Sequence, residues 1–292
     1  MRLGTWLPNA LPYGLDRRTF LDWARVADEA GFHRLVTLDR PNYDMWDPLA
    51  SLAAAAAVTQ HVRLATTTLQ LPNRNEVLVA KQAAVIDQLS AGRLTLGVSL
   101  GGRSDDYEVF GATTEHRVTR FRAQVGRIRE VWATARAGSA AHGEPGPPPV
   151  QEPGPPIWLG AMTEKGQRRA VELADGFVFG GIARPPAIAA AIEDMRGWAQ
   201  ERGRDGFSFA ALAYVAIGGE RELAEAVGHH RRYYPTLPLP PEQAIHHGPV
   251  EQIAEVAAAY AEAGLDELIV MPEVRDLRQL ELLAEHVLPA YR

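Results

Sequence analysis

The chain contains no cysteine. Disulfides, thiolate zinc sites, iron–sulfur clusters and a catalytic thiol are therefore excluded, while the redox compartment stays undecided. Long apolar runs are also missing. The run over residues 52–58 is alanine-rich and too short to span a bilayer. Residues 1–6 start a strand-like run without the apolar core or cleavage site of a signal peptide, so a cytoplasmic protein with no membrane partner is expected. A formal net charge of -6 argues against a nucleic-acid partner. No P-loop, HExxH motif or Gly-x-Ser-x-Gly elbow occurs. The pairs His229-His230 and His246-His247 are adjacent, and neighbouring residues point in different directions, so no metal site is expected.

What is present is an alternation of strands and helices over 292 residues, the pattern of a parallel α/β fold. Strands are expected over residues 2–7, 34–38, 62–71, 94–100, 157–159, 176–179, 207–217 and 267–270. Helices are expected over 16–30, 48–59, 77–89, 119–135, 164–174, 185–202, 220–232, 251–263 and 276–286. Asp16 is a plausible N-cap and Gly31 a C-cap for the first helix, and Pro48 suits the first turn of the second. Eight strands close a parallel barrel and leave no sheet edge, and a (β/α)8 TIM barrel typically needs about 250 residues. The alternative is an open doubly wound sheet, which usually carries a glycine-rich turn after its first strand; the run Pro8-Asn9-Ala10-Leu11-Pro12 does not suit one. We expect one domain over 1–292, with a Pro/Gly-rich surface excursion at 138–155.

In a barrel the chemistry sits at the C-terminal ends of the strands. Five segments stand there. After strand four, Ser99, Gly101 and Gly102 let a backbone approach a flat ligand or an anion, and Arg103 follows as a partner for phosphate or carboxylate; a tight turn with a solvated charge cluster explains them equally well. After strand five, Gly160, Ala161, Met162 and Thr163 lead into a helix N-terminus, a natural phosphate seat or simply a capped helix. After strand six, Gly180 and Gly181 repeat the pattern, as a second side of an anion cradle or as a turn. At the end of strand two, Asp39 and Arg40 set an acid and a base at the mouth, as catalytic groups or as a structural ion pair. In strand three, Thr66, Thr67 and Thr68 precede Leu69; alternation puts Thr66 and Thr68 on one face and Thr67 on the other, though β-propensity alone also favours threonine.

Three longer blocks carry a resemblance. Residues 79–111 (VAKQAAVIDQLSAGRLTLGVSLGGRSDDYEVFG), 155–181 (PPIWLGAMTEKGQRRAVELADGFVFGG) and 246–272 (HHGPVEQIAEVAAAYAEAGLDELIVMP) resemble, in order, the signatures of the luciferase-like monooxygenase superfamily, whose members use FMN or coenzyme F420. The match runs nearly end to end. The resemblance implies a luciferase-like barrel, usually a homodimer, acting on a small-molecule substrate. It implies that the segments at Gly160–Thr163 and Gly180–Gly181 hold the cofactor phosphate. It also implies that strand three, around Thr66–Leu69, backs the cofactor ring, in relatives often through a non-prolyl cis peptide. Many relatives carry Asp-His where Asp39-Arg40 stands, so a mechanism using that histidine ring is in doubt. Gly102 stands where some sugar-phosphate dehydrogenases of the family have a glutamate, so that activity is not expected.

A deazaflavin carries a hydride, whereas reduced FMN activates oxygen. The chain is short for the family and lacks the long insertions of the FMN-dependent alkanal and alkanesulfonate monooxygenases. By this analogy coenzyme F420 is the expected cofactor, with FMN the alternative. An oxygen-using monooxygenase and a non-catalytic flavin-binding protein are the competing functions. Asp39 is the first candidate proton donor, with His116 and Tyr107 behind it, and the stretch 229–241 is either a lid or a packed connector.

Overall fold

A computed structural model of the chain describes residues 1–10, 16–138, 145–234 and 239–292. Eight parallel strands form a ring: Arg2–Trp6, Arg34–Thr37, Arg63–Thr66, Leu94–Ser99, Ile157–Gly160, Gly176–Phe179, Ser208–Ile217 and Glu267–Pro272. Each pairs with its successor. The last pairs with both the first and the seventh, which closes the barrel. This is the expected TIM barrel. Parallel strands covered on both sides read as near-continuous apolar runs, and Ser208–Ile217, buried from its second residue onward, is the longest of them.

The helices start where side chains can cap them. Asp16 accepts from the Thr19 amide at 2.8 Å, and the helix Arg17–Ala30 ends at Gly31 with φ +87°, a left-handed position that suits glycine. Asp47 caps Pro48–Ala56, Asn75 caps Glu76–Leu89, and Thr163 caps Glu164–Leu173.

Three elements differ from expectation. Residues 62–71 do not make one strand: the third strand ends at Thr66, the Thr67–Thr68 bond is cis, and Leu69–Gln70 is a separate short strand on the fourth barrel strand. The two-face alternation expected of the threonines therefore stops at Thr66. A short helix, Ser104–Val109, follows the fourth strand where the sequence pattern predicts none, and its Asp106 and Tyr107 turn inward and are buried. The final helix is α-helical only over Leu277–Leu282, then widens into a π turn and a 3-10 turn. Of the excursion at 138–155, residues 139–144 lie outside the described residues. Its later part packs onto the barrel: Gln151 binds Asp87 and the Leu94 carbonyl, and Gly154 leaves no room for a side chain against Trp132.

The N-terminal end of the barrel is closed by charge. Arg34, the first residue of strand two, sets its Nε 2.9 and 3.0 Å from the two oxygens of Glu267, the first residue of strand eight, and its Nη1 donates to Thr95 at 2.8 Å. Both charged side chains are buried, so removal of one leaves the other uncompensated. With this end sealed, the open space lies at the opposite rim. Arg34→Met is expected to lower unfolding free energy by about 3–5 kcal/mol in urea titration, and Arg34→Met with Glu267→Leu to recover most of it. A single variant as stable as wild type would remove this pair from the foundation of the barrel.

His33 lies beside this pair. Burial, reinforced by Arg34, Arg2 and Arg63, pushes its ring down to about 3. Arg2 Nη1 lies 3.2 Å from its Nε2, a contact that suits a neutral ring; Glu267 is 3.8 Å away but already serves Arg34. The unfolded chain takes up a proton near pH 6.5 that the folded chain refuses. The stability from keeping His33 neutral is therefore full above pH 6.5 and declines as the pH falls toward 3. Wild type should lose more stability than His33→Gln between pH 7 and pH 5, as read by denaturant midpoints.

Candidate active site

At the C-terminal rim lies a cavity of about 520 Å³, within the range of small-molecule sites. Beside it is a smaller lobe of about 200 Å³. Thr67, Thr68, Ser99, Gly101 and Gly102 line both and form the ridge between them.

The ridge exists because two strands come unusually close. A Cβ on Gly97 would stand 1.9 Å from the Thr66 carbonyl oxygen, so glycine is required there. Thr66 itself is fully buried and donates through Oγ1 to the Gly97 carbonyl at 2.6 Å. It ties strand three to strand four and does not line the cavity, which corrects its place among the ring-backing residues. Leu69 is likewise fully buried in the core. Thr67 and Thr68 are the threonines that reach the site.

The large cavity has a polar end and an apolar end. Gly160, Ala161, Met162 and Thr163 lie along it and run into the first turn of the helix Glu164–Leu173, where Thr163 Oγ1 accepts from the Gly166 amide at 3.3 Å. A Cβ on Gly160 would meet Thr68 Cγ2 at 3.0 Å, so any longer side chain there enters the cavity. Gly180 joins this wall, but Gly181 does not: its Cβ position is 2.3 Å from the Tyr214 ring, and it packs onto that ring instead. Leu100, Phe121, Leu159, Val178 and Leu212 supply the apolar wall.

Three cations that sequence reading missed complete the lining: Arg117, Lys165 and Arg169, with no acidic residue among the lining side chains. Burial, and then the Arg122 guanidinium nearby, pull Arg169 down from its ordinary value, and its Nε is buried without a hydrogen-bond partner. Lys165 and Arg169 were findable, since they stand four apart on the helix that follows Thr163 and so share a face. Arg117 begins the helix Arg117–Arg136 and arrives from a distant part of the chain, with no local signal.

Asp39 and Arg40 line the smaller lobe, not the large cavity. The carboxylate of Asp39 is committed on both oxygens: one accepts from Arg74 Nη2 at 2.9 Å and the other from the Gln70 amide at 2.8 Å. Burial pushes its pKa up and Arg74 opposes the shift. Asp39 thus clamps the exit of the third strand. The Arg40 guanidinium lies 3.9 Å over the Tyr43 ring, donates to the Tyr233 carbonyl, and sets Nε 3.6 Å from Asp106 Oδ1. Asp106 accepts from Gln70 Nε2 at 2.9 Å. Arg103 pairs with Asp105 and closes the outer edge of the lobe. Tyr107 donates to the Leu100 carbonyl and, like the exposed His116, lines neither space. Residues 235–238 of the expected lid lie outside the described residues; before them, Tyr233 and Tyr234 line the lobe.

A model of the luciferase-like monooxygenase family matches residues 1–265. The chain belongs to that family. Among its curated relatives, the oxygenase component of a flavin-dependent trigonelline monooxygenase from Acinetobacter baylyi is 30% identical over 166 residues, covering 52% of this chain and 45% of the relative. A putative coenzyme F420-dependent oxidoreductase of Mycobacterium tuberculosis is 29% identical over 223 residues, covering 69% of this chain and 63% of the relative. The matched parts thus span about half to two thirds of these relatives' own length. Among solved structures, monooxygenase RslO1 from Streptomyces bottropensis aligns over 100% of both chains with a TM-score of 0.78 at 22% identity. An F420-dependent secondary alcohol dehydrogenase in complex with an F420-acetone adduct aligns over 100% of this chain and 99% of the other, with a TM-score of 0.77 at 18% identity. At such identities the likeness is one of fold. The family is one of flavin- or F420-dependent oxidoreductases and monooxygenases.

The residues present fit a phosphorylated tricyclic cofactor: the lining offers a helix N-terminus, three cations, a glycine-bearing backbone, an apolar wall and the two threonines. Gly160→Leu is expected to fold as wild type and to weaken binding of flavin or deazaflavin at least ~100-fold, because the side chain fills the space beside Thr68. Unchanged affinity, read from quenching of cofactor fluorescence, would remove this cavity as the cofactor seat.

Proposed function

We propose that the chain is a coenzyme F420-dependent oxidoreductase that moves a hydride between its cofactor and a small organic substrate. The observation that carries this reading is the charge of the large cavity. In a protein of net charge -6, its lining holds three cations and no acid. FMN ends in a single phosphate, which a helix N-terminus and one cation can serve. The deazaflavin coenzyme continues past its phosphate into a chain of carboxylates, and Arg117, Lys165 and Arg169 offer partners for that excess charge. The F420-dependent relative in Mycobacterium tuberculosis supports the same choice.

When bound, the deazaflavin supplies a hydride donor or acceptor and does not usefully activate oxygen. The rest falls to the chain's own residues. The Thr163-capped helix and the amides near Gly160 hold the phosphate. Leu159, Val178 and Leu212 give the ring an apolar seat, and ring and substrate meet where the two spaces share Thr67, Thr68, Ser99, Gly101 and Gly102. The substrate then sits in the lobe bounded by Asp39, Arg40, Tyr233 and Tyr234.

The second reading, an FMN-dependent monooxygenase, draws on the trigonelline monooxygenase relative. Titration with oxidised coenzyme F420 and with FMN separates the two. F420 should bind at least ~10-fold more tightly, with an affinity that falls as salt rises. Arg169→Met should weaken F420 by about 10- to 100-fold, the loss typical of a charged hydrogen bond, and FMN by less. Tighter binding of FMN, or equal loss for both cofactors, overturns the F420 reading.

A further inference from the structure

The smaller lobe is lined mostly by polar residues, with Leu38 and the rings of Tyr233 and Tyr234 adding apolar surface. Its acceptors are partly spent. Asp39 has both oxygens in hydrogen bonds, and Asp106 accepts from Gln70 with one oxygen, while the other lies 3.6 Å from Arg40 Nε without a hydrogen bond. Its donors are less so. Thr67, Thr68, Ser99, Tyr233 and Tyr234 are among its lining residues; Thr67 already donates to the Thr37 carbonyl and Arg40 to the Tyr233 carbonyl, but Nε and Nη2 of Arg40 have no hydrogen-bond partner. Such a lining suits a ligand that presents an acceptor oxygen.

A donor that gives up its proton must be able to lose it. Arg40 and Arg103 stay protonated and can only hold. Tyr234 differs from them. Its hydroxyl lies 2.6 Å from that of Tyr214, which is wholly buried on the seventh strand. This is the one hydrogen bond of the Tyr214 hydroxyl among the described residues. Either hydroxyl can be the donor in this pair; Tyr234 lines the lobe and Tyr214 does not, so the arrangement that gives both protons a partner has Tyr214 donating and Tyr234 accepting. That direction leaves the Tyr234 proton for the lobe, and it places a ready O–H against any phenolate formed there. Burial raises the Tyr234 phenol from its ordinary value, so the proton is in place at neutral pH.

We infer that the lobe takes a small carbonyl compound or its alcohol, and that Tyr234 exchanges the proton with the substrate oxygen. The inference rests on the hydride-transfer reading only for the other half of the reaction. In the reducing direction, a hydride from the reduced deazaflavin forms the new C–H bond and the C=O π bond breaks. Its electron pair moves to oxygen, and that oxygen takes the Tyr234 proton. The cofactor is oxidised by two electrons and the carbonyl reduced by two. The Tyr234 phenolate, held by the Tyr214 hydroxyl, is reprotonated from solvent as the product leaves. Tyr234 is therefore the catalytic residue and Tyr214 a positioning residue.

The test has an arm that needs no cofactor. Acetone labelled with 13C at the carbonyl is titrated into the cofactor-free protein, and the carbonyl resonance followed by NMR. In wild type it moves downfield on binding, as hydrogen-bonded carbonyls do. In Tyr234→Phe the movement is lost, with the far-UV circular dichroism unchanged. Tyr214→Phe keeps the shift and covers the case in which Tyr234→Phe fails to fold. No shift in wild type, a full shift in folded Tyr234→Phe, or its loss in folded Tyr214→Phe overturns the assignment. In the second arm, turnover of a ketone with reduced F420 should fall ~100-fold or more in Tyr234→Phe, with KM changed far less, and by about tenfold in Tyr214→Phe. A preserved acetone shift with no F420 turnover in wild type counts against the cofactor reading and leaves the Tyr234 contact standing.

Discussion

The carbonyl oxygen of Thr66 stands where any residue but glycine at position 97 would place its Cβ. The site depends on that close approach. It lets Thr66 bond the Gly97 carbonyl, which fixes the end of strand three against strand four. From that anchor the chain leaves the sheet at Thr67 and Thr68 and re-enters it at Leu69. The two threonines are thereby raised into the barrel mouth as a wall with a space on either side. Asp39 secures the far end of the detour through the Gln70 amide, and Arg74 secures Asp39. A carboxylate that sequence position suggests for catalysis is thus part of the frame. A partly desolvated acid with both oxygens occupied serves better as a fixed strut than as a proton donor.

The two spaces differ in how they treat charge. In the smaller lobe, charges are matched nearby: the buried Asp39 with Arg74 and Asp106 with Arg40, and the more exposed Arg103 with Asp105. The large cavity has cations only. Unmatched positive charge at a partly buried site costs free energy in the empty protein and is relieved by an anionic ligand. The imbalance therefore marks which space receives the charged molecule and which receives a neutral one.

Much of the fold was legible in the sequence because its signals are local. Apolar strand runs, the Asp16 and Thr163 caps and the glycine at 31 each act within a few residues. The glycines at 97 and 160 were visible, but only Gly160 could be placed at the site, since the need for Gly97 arises from a neighbouring strand. The family resemblance places Thr66 through Leu69 behind the cofactor ring, but the strand ends at Thr66 and only Thr67 and Thr68 of the four line the cavity. Arg117 was missed because its helix crosses the rim from elsewhere, and Gly181 was misplaced because the Tyr214 ring lies 33 positions away in the chain. The helix Ser104–Val109 was missed for a related reason: what buries Asp106 is Gln70 and Arg40, neither of them nearby in sequence.

Arginine at position 40 has a consequence for how a proton can move. A histidine at the same place could take and return one near neutral pH, whereas a guanidinium cannot. Here Arg40 is further immobilised, stacked on Tyr43 and bound to the Tyr233 carbonyl. Through that carbonyl it also fixes the end of the helix Glu220–Tyr233, from which Tyr234 emerges. Exchanging an imidazole for a guanidinium thus has two linked effects on this side of the mouth. It removes a titrating group from the segment after strand two, and it braces the segment that brings a phenol to the same lobe. On the proposal that Tyr234 handles the proton, that task falls to the end of the helix Glu220–Tyr233.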